Sequence, residues 1–353
     1  MSQSSMELLT LTSEAAVLVR AGRAAYLNFA ARELLGQDCI GKTVAQLFGA
    51  DVAGTQASAF LAQIRLRGLP YAVRVTQFDG DRVYFLRPQE AMPAVMNQPF
   101  LYALRSALMN MSMSAQRLRE LSEAQQNRPM LDSLCTLTRE QYRILRLVNN
   151  AALILGDAEG EPVCAMQPFN LSALFASLLD AIRGFLPDVR IQAQLGNNIP
   201  ICADPSLMKS LLMNLLSNAL LHAHGLSRIS VSLTDASQSV VLAVDDDGCG
   251  IAPDALYQVF DRYRHSFDLR QMNTGPGLGL TAARLITQLH HGTLLLESRP
   301  EHGTTLRASL SKAGLEQARL QATGNCIVCE TRDVLTGLAD CLSTDCYREQ
   351  YLD

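Results

Sequence analysis

Two asparagines, Asn214 and Asn218, stand four residues apart in a stretch of helical pattern, so both amides project from one face. Amides placed that way can hold the water shell of a metal ion or cap each other. Downstream, an apolar run ends in Asp246-Asp247-Gly248-Cys249-Gly250-Ile251, and a second glycine run, Gly275-Pro276-Gly277-Leu278-Gly279-Leu280, leads into a helix. Glycines at such places let backbone amides approach an anion, and a helix N-terminus behind them favours negative charge. Phosphate is the natural ligand. The second run lacks the spacing of Gly-x-Gly-x-x-Gly and the Lys-Ser/Thr of a P-loop, which disfavours both of those nucleotide folds.

The elements that must position these groups follow from pattern. Asp204-Pro205 is an N-cap followed by proline at the first helical position, and Gly225 closes the helix that bears the asparagines. Its stripe of Leu207, Met208, Leu211 and Leu215 must be buried. Ile229, Val231 and Leu233 alternate, residues 240–244 are apolar, and residues 235–238 turn between them, which predicts an antiparallel pair. Residues 171–184 and 282–289 read as helices, and 293–297 and 304–310 as strands.

Upstream the pattern changes. Leu101, Leu104, Leu108, Met111, Ala115 and Leu118 form a heptad seam, and after Pro129 a second helix carries Leu131, Leu134, Leu145, Val148, Ala152 and Leu155, with Thr138 and Gln141 as polar interruptions. One such hairpin leaves its seam half exposed; pairing with a second copy as a four-helix bundle covers it, and packing within one chain is the alternative. Residues 14–90 alternate β-like and helical runs, with turns at residues 21–23 and at Asp79-Gly80, and read as a small α+β module.

Taken in order, the asparagine pair, Asp-x-Gly-x-Gly-Ile, the Phe260-Asp261-Arg262-Tyr263 box and Gly-x-Gly-Leu-Gly-Leu resemble the ATP-binding domain of sensor histidine kinases and the wider GHKL ATPase superfamily. Leu289-His290-His291-Gly292-Thr293 and Gly303-Thr304-Thr305 add to the likeness. The resemblance implies an α/β sandwich of the GHKL (Bergerat) type that binds ATP and Mg²⁺. It places Mg²⁺ on Asn218, Asn214 on the phosphate side, and the adenine amino group on Asp246. Gly248, Gly250, Gly275, Gly277, Leu278, Gly279 and Thr304 would line the nucleotide, and residues 261–274, with Arg262, Arg264 and Arg270, would form a lid. Where the family commonly has Lys after Asn-Ala-x, this chain has Leu221 and then His222, so a phosphate-steadying cation is missing there.

The hairpin resembles the dimerisation hairpin of the same kinases, whose first helix carries the phosphoacceptor histidine. Here the stretch reads Tyr102-Ala103-Leu104-Arg105-Ser106-Ala107-Leu108, with Tyr102 in place of the histidine and Ala103 in place of its acidic neighbour. A neutral imidazole is a good nucleophile near neutral pH, whereas a phenol stays protonated there. All six histidines lie at or beyond His222, so no shifted alignment restores an acceptor. Two classes of function follow. One is an ATP-binding, nucleotide-gated signalling switch with its own acceptor lost, which would engage a response regulator or partner kinase. The other is an active kinase or ATPase with an unconventional acceptor such as Tyr102, Ser106 or a partner side chain. The order strand, turn, strand, Asn28, helix, Leu35-Gly36, Ile40-Gly41-Lys42 resembles the start of a PAS sensor domain. The absence of histidine before residue 222 excludes a His-ligated haem there, and no flavin-adduct signature surrounds Cys39.

The expectation is thus an α+β multidomain chain: a PAS-like sensor at 1–92, the dimerisation hairpin at 93–160, the ATP-binding domain at 161–312 and a Cys-rich tail at 313–353. Its 353 residues suit two or three domains, and 48% hydrophobic against 18% charged residues suits a folded protein. A net charge of −4, with no block of like charge, argues against nucleic acid as a partner. No membrane-spanning run and no signal-peptide pattern are visible, which predicts a cytoplasmic protein with reduced thiols. In the tail, Cys326, Cys329, Cys341 and Cys346 are either a zinc site or small side chains packed by a helix with the apolar spacing of residues 333–339.

Overall fold

The computed structural model describes residues 14–54, 59–66, 69–78, 80–88, 98–125, 127–158, 164–223, 225–251, 278–313 and 329–348. Strands β1 (Ala15–Arg20) and β2 (Arg23–Leu27) form a hairpin whose turn holds Ala21 and Gly22 at positive φ. Asn28 then does three jobs. Its Oδ1 accepts from the backbone of Ala31, capping helix α1 (Phe29–Leu35), and from the backbone of Ala16, while its Nδ2 donates to the carbonyl of Glu14. Helix α2 (Val44–Phe48) starts on a Thr43/Gln46 capping box and is followed by α3 (Ala50–Gly54), β3 (Ala59–Leu66), β4 (Leu69–Phe78) and β5 (Asp81–Pro88). The strands pair antiparallel in the order β2-β1-β5-β4-β3. Val17, Phe48, Phe60, Val73 and Tyr84 fill the space between sheet and helices, with Phe48 stacked on Tyr84 at 5.1 Å.

Helices α4 (Gln98–Ala124) and α5 (Arg128–Ala158) form an antiparallel hairpin. Leu101 and Leu108 of α4 pack on Val148, Ala151 and Leu155 of α5. Ala115 is also buried, but Met111 and Leu118, expected on the same seam, are 43% and 41% exposed. Thr138 and Gln141, the polar interruptions, are buried. Arg119 donates from Nη2 to Thr138 Oγ1 at 3.0 Å.

The third body comprises β6 (Gln167–Asn170), α6 (Leu171–Phe185), β7 (Arg190–Leu195), β8 (Pro200–Ala203), α7 (Pro205–His222), β9 (Arg228–Asp235), β10 (Ser239–Asp246), α8 (Leu278–Leu289), β11 (Leu294–Ser298), β12 (Thr304–Ser311) and α9 (Thr331–Gly337). Its main sheet runs β11-β12-β10-β9-β7, antiparallel except for β7 on β9. Alternation decides the buried face. Ile229, Val231 and Leu233 of β9 and Val240, Leu242 and Val244 of β10 point into one core with Leu174, Phe175, Leu178 and Ile182 of α6. Each such side chain contributes about 1.5–3 kcal/mol by leaving water.

Two connections lie outside what the sequence patterns announce. Edge strand β3 pairs with β11 (Leu295 opposite Ala62, Leu296 opposite Leu61), so the two sheets run on as one of ten strands, and Leu295 packs into the first module's core. The C-terminal segment, set apart in the sequence as a tail, packs Val334, Leu335, Leu338, Leu342 and Tyr347 into the core of the third body.

His290 fastens α8 to the start of α7. Its Nδ1 lies 2.7 Å from the carbonyl of Ile286 and donates to it, so Nε2 accepts the backbone N–H of Asp204 at 3.1 Å. Burial lowers its pKa below the ordinary 6.5. The unfolded chain therefore takes up this proton more readily than the folded one, and the stability held by neutral His290 is complete above 6.5 and lost as pH falls. His290→Gln is expected to flatten the decline in thermal stability just below pH 6.5. An unchanged slope between parent and variant, measured from pH 8 to 5, would refute the assignment.

Candidate functional site

Helix α7 is fixed at its start by Asp204, whose Oδ1 accepts from the backbones of Ser206 and Leu207 and whose Oδ2 accepts from that of Ala165. Met208, Leu211, Leu212, Leu215 and Leu216 are fully buried, leaving the helix little freedom to shift. Asn214 is only 3% exposed. Its Oδ1 accepts from Arg146 Nη2 at 3.1 Å and from Asn150 Nδ2 at 3.4 Å, both on α5, and its Nδ2 faces Asn150 Oδ1 and Ser210 Oγ, each at 3.4 Å. Asn218, one turn on, is half-buried, and His222 is exposed near the helix end. A cation on Asn214 thus comes from the hairpin, as Arg146. No sequence motif singles it out.

The three consecutive aspartates at the end of β10 have separate tasks. Asp245 accepts from Thr305 Oγ1 at 2.5 Å. Asp247 secures the preceding loop, accepting from the backbones of Ser227 and Arg228 at 2.9 Å each and from Ser227 Oγ, and the Ser227 bonds bring its pKa down to about 2. Asp246 points inward and is buried. Its Oδ1 accepts both the Gly248 N–H at 3.1 Å and the Thr304 N–H at 3.2 Å. Burial, reinforced by the flanking Asp245 and Asp247, raises its pKa despite those two bonds.

Close approach explains the nearby glycines. A Cβ on Gly248 would lie 2.5 Å from that of Ala223, the residue capping α7, and one on Gly250 would strike the carbonyl of Arg299. Gly303, at φ +81°, sits against the carbonyl of Asp246 and aligns Thr304 with it. Thr304 Oγ1 lies 3.0 Å from Ser298 Oγ. Midway along α7, a Cβ on Gly279 would come within 3.1 Å of Asn214 Oδ1, so this glycine lets α8 start beside the asparagine. Leu278 packs on the hairpin core with Leu101 and Val148.

One wall therefore runs along α7 from Asn214 and Gly279, past Asn218, to Ala223, Gly248 and Asp246, with Thr304 behind. Nine residues of helix make it roughly 13 Å long. Gly275, Gly277 and the expected lid at 261–274 lie outside the described residues. Tyr102 is 64% exposed on α4. Among the described residues no three His, Cys, Asp or Glu side chains gather as a metal site, and Cys326 lies outside them. Cys341 instead packs against Ser217, 3.4 Å from its Oγ, with its thiol pushed up to about 11 by burial.

Comparison with known proteins bears on this arrangement. Residues 203–314 match the family described as histidine kinase-, DNA gyrase B-, and HSP90-like ATPase. The chain is 32% identical over 182 residues to the signal transduction histidine-protein kinase AfsQ2 of Streptomyces coelicolor, a match covering 51% of this chain and 33% of AfsQ2. It is 36% identical over 132 residues to the sensor histidine kinase GtrS of Pseudomonas aeruginosa, covering 37% of this chain and 27% of GtrS. The chain thus spans about a third of the length of the curated relatives it matches. Among solved structures, the Acinetobacter baumannii histidine kinase AdeS aligns with 60% of this chain and 97% of its own, at a TM-score of 0.41 and 18% identity. No helix among the described residues is long and apolar enough to cross a membrane. Motif order, family match and curated relatives agree that residues 203–314 form a histidine kinase-, DNA gyrase B- and HSP90-like ATPase domain, carried by a chain related to sensor histidine kinases.

Proposed function

We propose that the chain is a cytoplasmic signalling protein of the two-component type that binds Mg-ATP along the α7 wall and uses the bound state as a switch. The observation that carries this reading is the buried carboxylate of Asp246, held through Oδ1 by two backbone amides at one end of a wall whose other end is Asn214 and Gly279. Its length suits an extended nucleoside triphosphate. Asp246 Oδ2 accepts the adenine amino group, Asn218 supplies an oxygen to Mg²⁺, and the N-terminus of α8 faces the phosphates. Bound Mg²⁺ supplies charge neutralisation for the phosphate chain. Gly248 and Thr304 hold the carboxylate in place through their backbone amides, and Gly250 lets its loop pack on the Arg299 carbonyl.

The N-terminal module is read as a PAS-like sensor, supported by its strand order β2-β1-β5-β4-β3 with helices on one face. The hairpin is read as the dimerisation element. Its α4 leaves Met109, Met113 and Leu121 exposed at 62%, 69% and 55%, a stripe that a second copy covers as a four-helix bundle. Tyr102 stands where the related kinases place the phosphoacceptor, so the chain binds nucleotide without phosphorylating itself and acts on a response regulator or partner kinase. The competing reading, transfer to Tyr102, is favoured by the exposure of that phenol alone.

Three outcomes test these readings. Calorimetry is expected to show Mg-ATP binding by the parent, weakened roughly tenfold to a hundredfold by Asn218→Ala or Asp246→Ala, as loss of a charge-assisted hydrogen bond predicts. Parent-like affinity in either variant removes that residue from the site. With ATP labelled on the γ-phosphate, no label should stay on the chain, and retained label lost in Tyr102→Phe would establish the competing reading. A chain carrying Met113→Glu and Leu121→Glu should be monomeric by light scattering; a persistent dimer places the interface elsewhere.

A further inference from the structure

Asn214 offers nothing to a ligand in this arrangement, because its amide is taken up by Arg146 and Asn150 of the hairpin and by Ser210 of its own helix. The hairpin is kept there by the C-terminal segment. Asp340, just beyond α9, accepts from Arg143 Nε at 2.8 Å through one oxygen and from Arg146 Nη1 at 2.6 Å through the other. Arg146 is thus shared, one amino group on the carboxylate of the C-terminal segment and the other on the asparagine.

The same segment grips both partners along its length. Toward α7, Lys209 pairs with Asp333 at 2.6 Å, a Cβ on Gly337 would lie 2.5 Å from Met213 Cγ, and Cys341 abuts Ser217. Toward the hairpin, the Tyr347 ring lies 5.5 Å from that of Tyr142, and Arg119, itself 3% exposed, donates to the Tyr347 carbonyl at 3.0 Å. Tyr347 is fully buried and its hydroxyl donates to the carbonyl of Leu335, so the segment is folded onto itself as well.

We propose that residues 331–348 are an autoinhibitory clasp: through Asp340 they hold Arg146 and α5 against α7, and the phosphate end of the nucleotide site is completed only when that ion pair opens and Asn214 is released. The proposal rests on the reading of α7 as the nucleotide wall. Opening requires charged groups to leave a largely buried setting, where an unpaired charge is costly, so the clasp opens as a unit rather than fraying. Nucleotide and clasp then favour opposite conformations of the hairpin, and each weakens the other by the same factor.

The test uses the full chain with Asp340→Asn, which keeps the shape and removes the charge, and Arg143→Ala, which weakens the same carboxylate's hold without touching Asn214. Both variants are expected to bind Mg-ATP about tenfold more tightly than the parent, the gain from removing a closed state populated about nine-tenths of the time. Hydrogen exchange, measured without nucleotide, is expected to quicken along residues 143–152 and 331–342 in both. Affinity no tighter than the parent's, or exchange at the parent's rate, overturns the clasp. Absence of nucleotide binding in parent and variants alike would instead sink the ATP reading, and the exchange data would then decide the clasp alone.

Discussion

A helix that is apolar on nearly every side has to be buried on nearly every side, and α7 is such a helix. It packs against α6, α8, α9 and β10. That constraint sets the rest of the molecule. The sheet and α6 supply one wall, α8 carries a glycine in its first turn where Asn214 approaches, and the C-terminal segment returns to cover what the sheet cannot reach. Polar groups on a buried helix must find partners or cost about 1–3 kcal/mol each. Asn214 finds its partners on the hairpin, and in doing so joins two modules that the sequence presents as separate.

The electrostatics of the β10 end show how one strand terminus can treat three identical side chains differently. Asp247 is stabilised as an anion by serine and backbone donors, whereas Asp246 is buried between two like charges and is harder to ionise. The first anchors a loop. The second is left as a hydrogen-bond acceptor in a dry setting, where discrimination between ligands that can and cannot donate is greatest.

Local rules were legible in the sequence because they act over a few residues. Asp204 caps the helix that its side-chain chemistry announces, Asn28 and Gly36 bound the helix between them, and β9 alternates as written and pairs antiparallel with β10. The heptad pattern located both long helices, and Met111 and Leu118 of its seam are exposed within this chain. What pattern could not reveal was pairing at a distance. Arg146 looks like any arginine on a long helix until Asp340 and Asn214 stand on either side of it. The apolar spacing of residues 333–339 spoke for a helix without saying which surface it would cover. His290 belonged to a recognisable motif, yet its bond to the Asp204 backbone depends on a fold that no local window contains.

The pairing of β3 with β11 has a mechanical consequence. Side chains on a strand alternate between faces, so a shift of one residue would turn Leu295 out of the first module's core and put its neighbours in. Its neighbours Leu294 and Leu296 face the core of the third body, so a single strand fills two cores at once and ties the N-terminal module to the ATPase domain through both backbone pairing and side-chain burial.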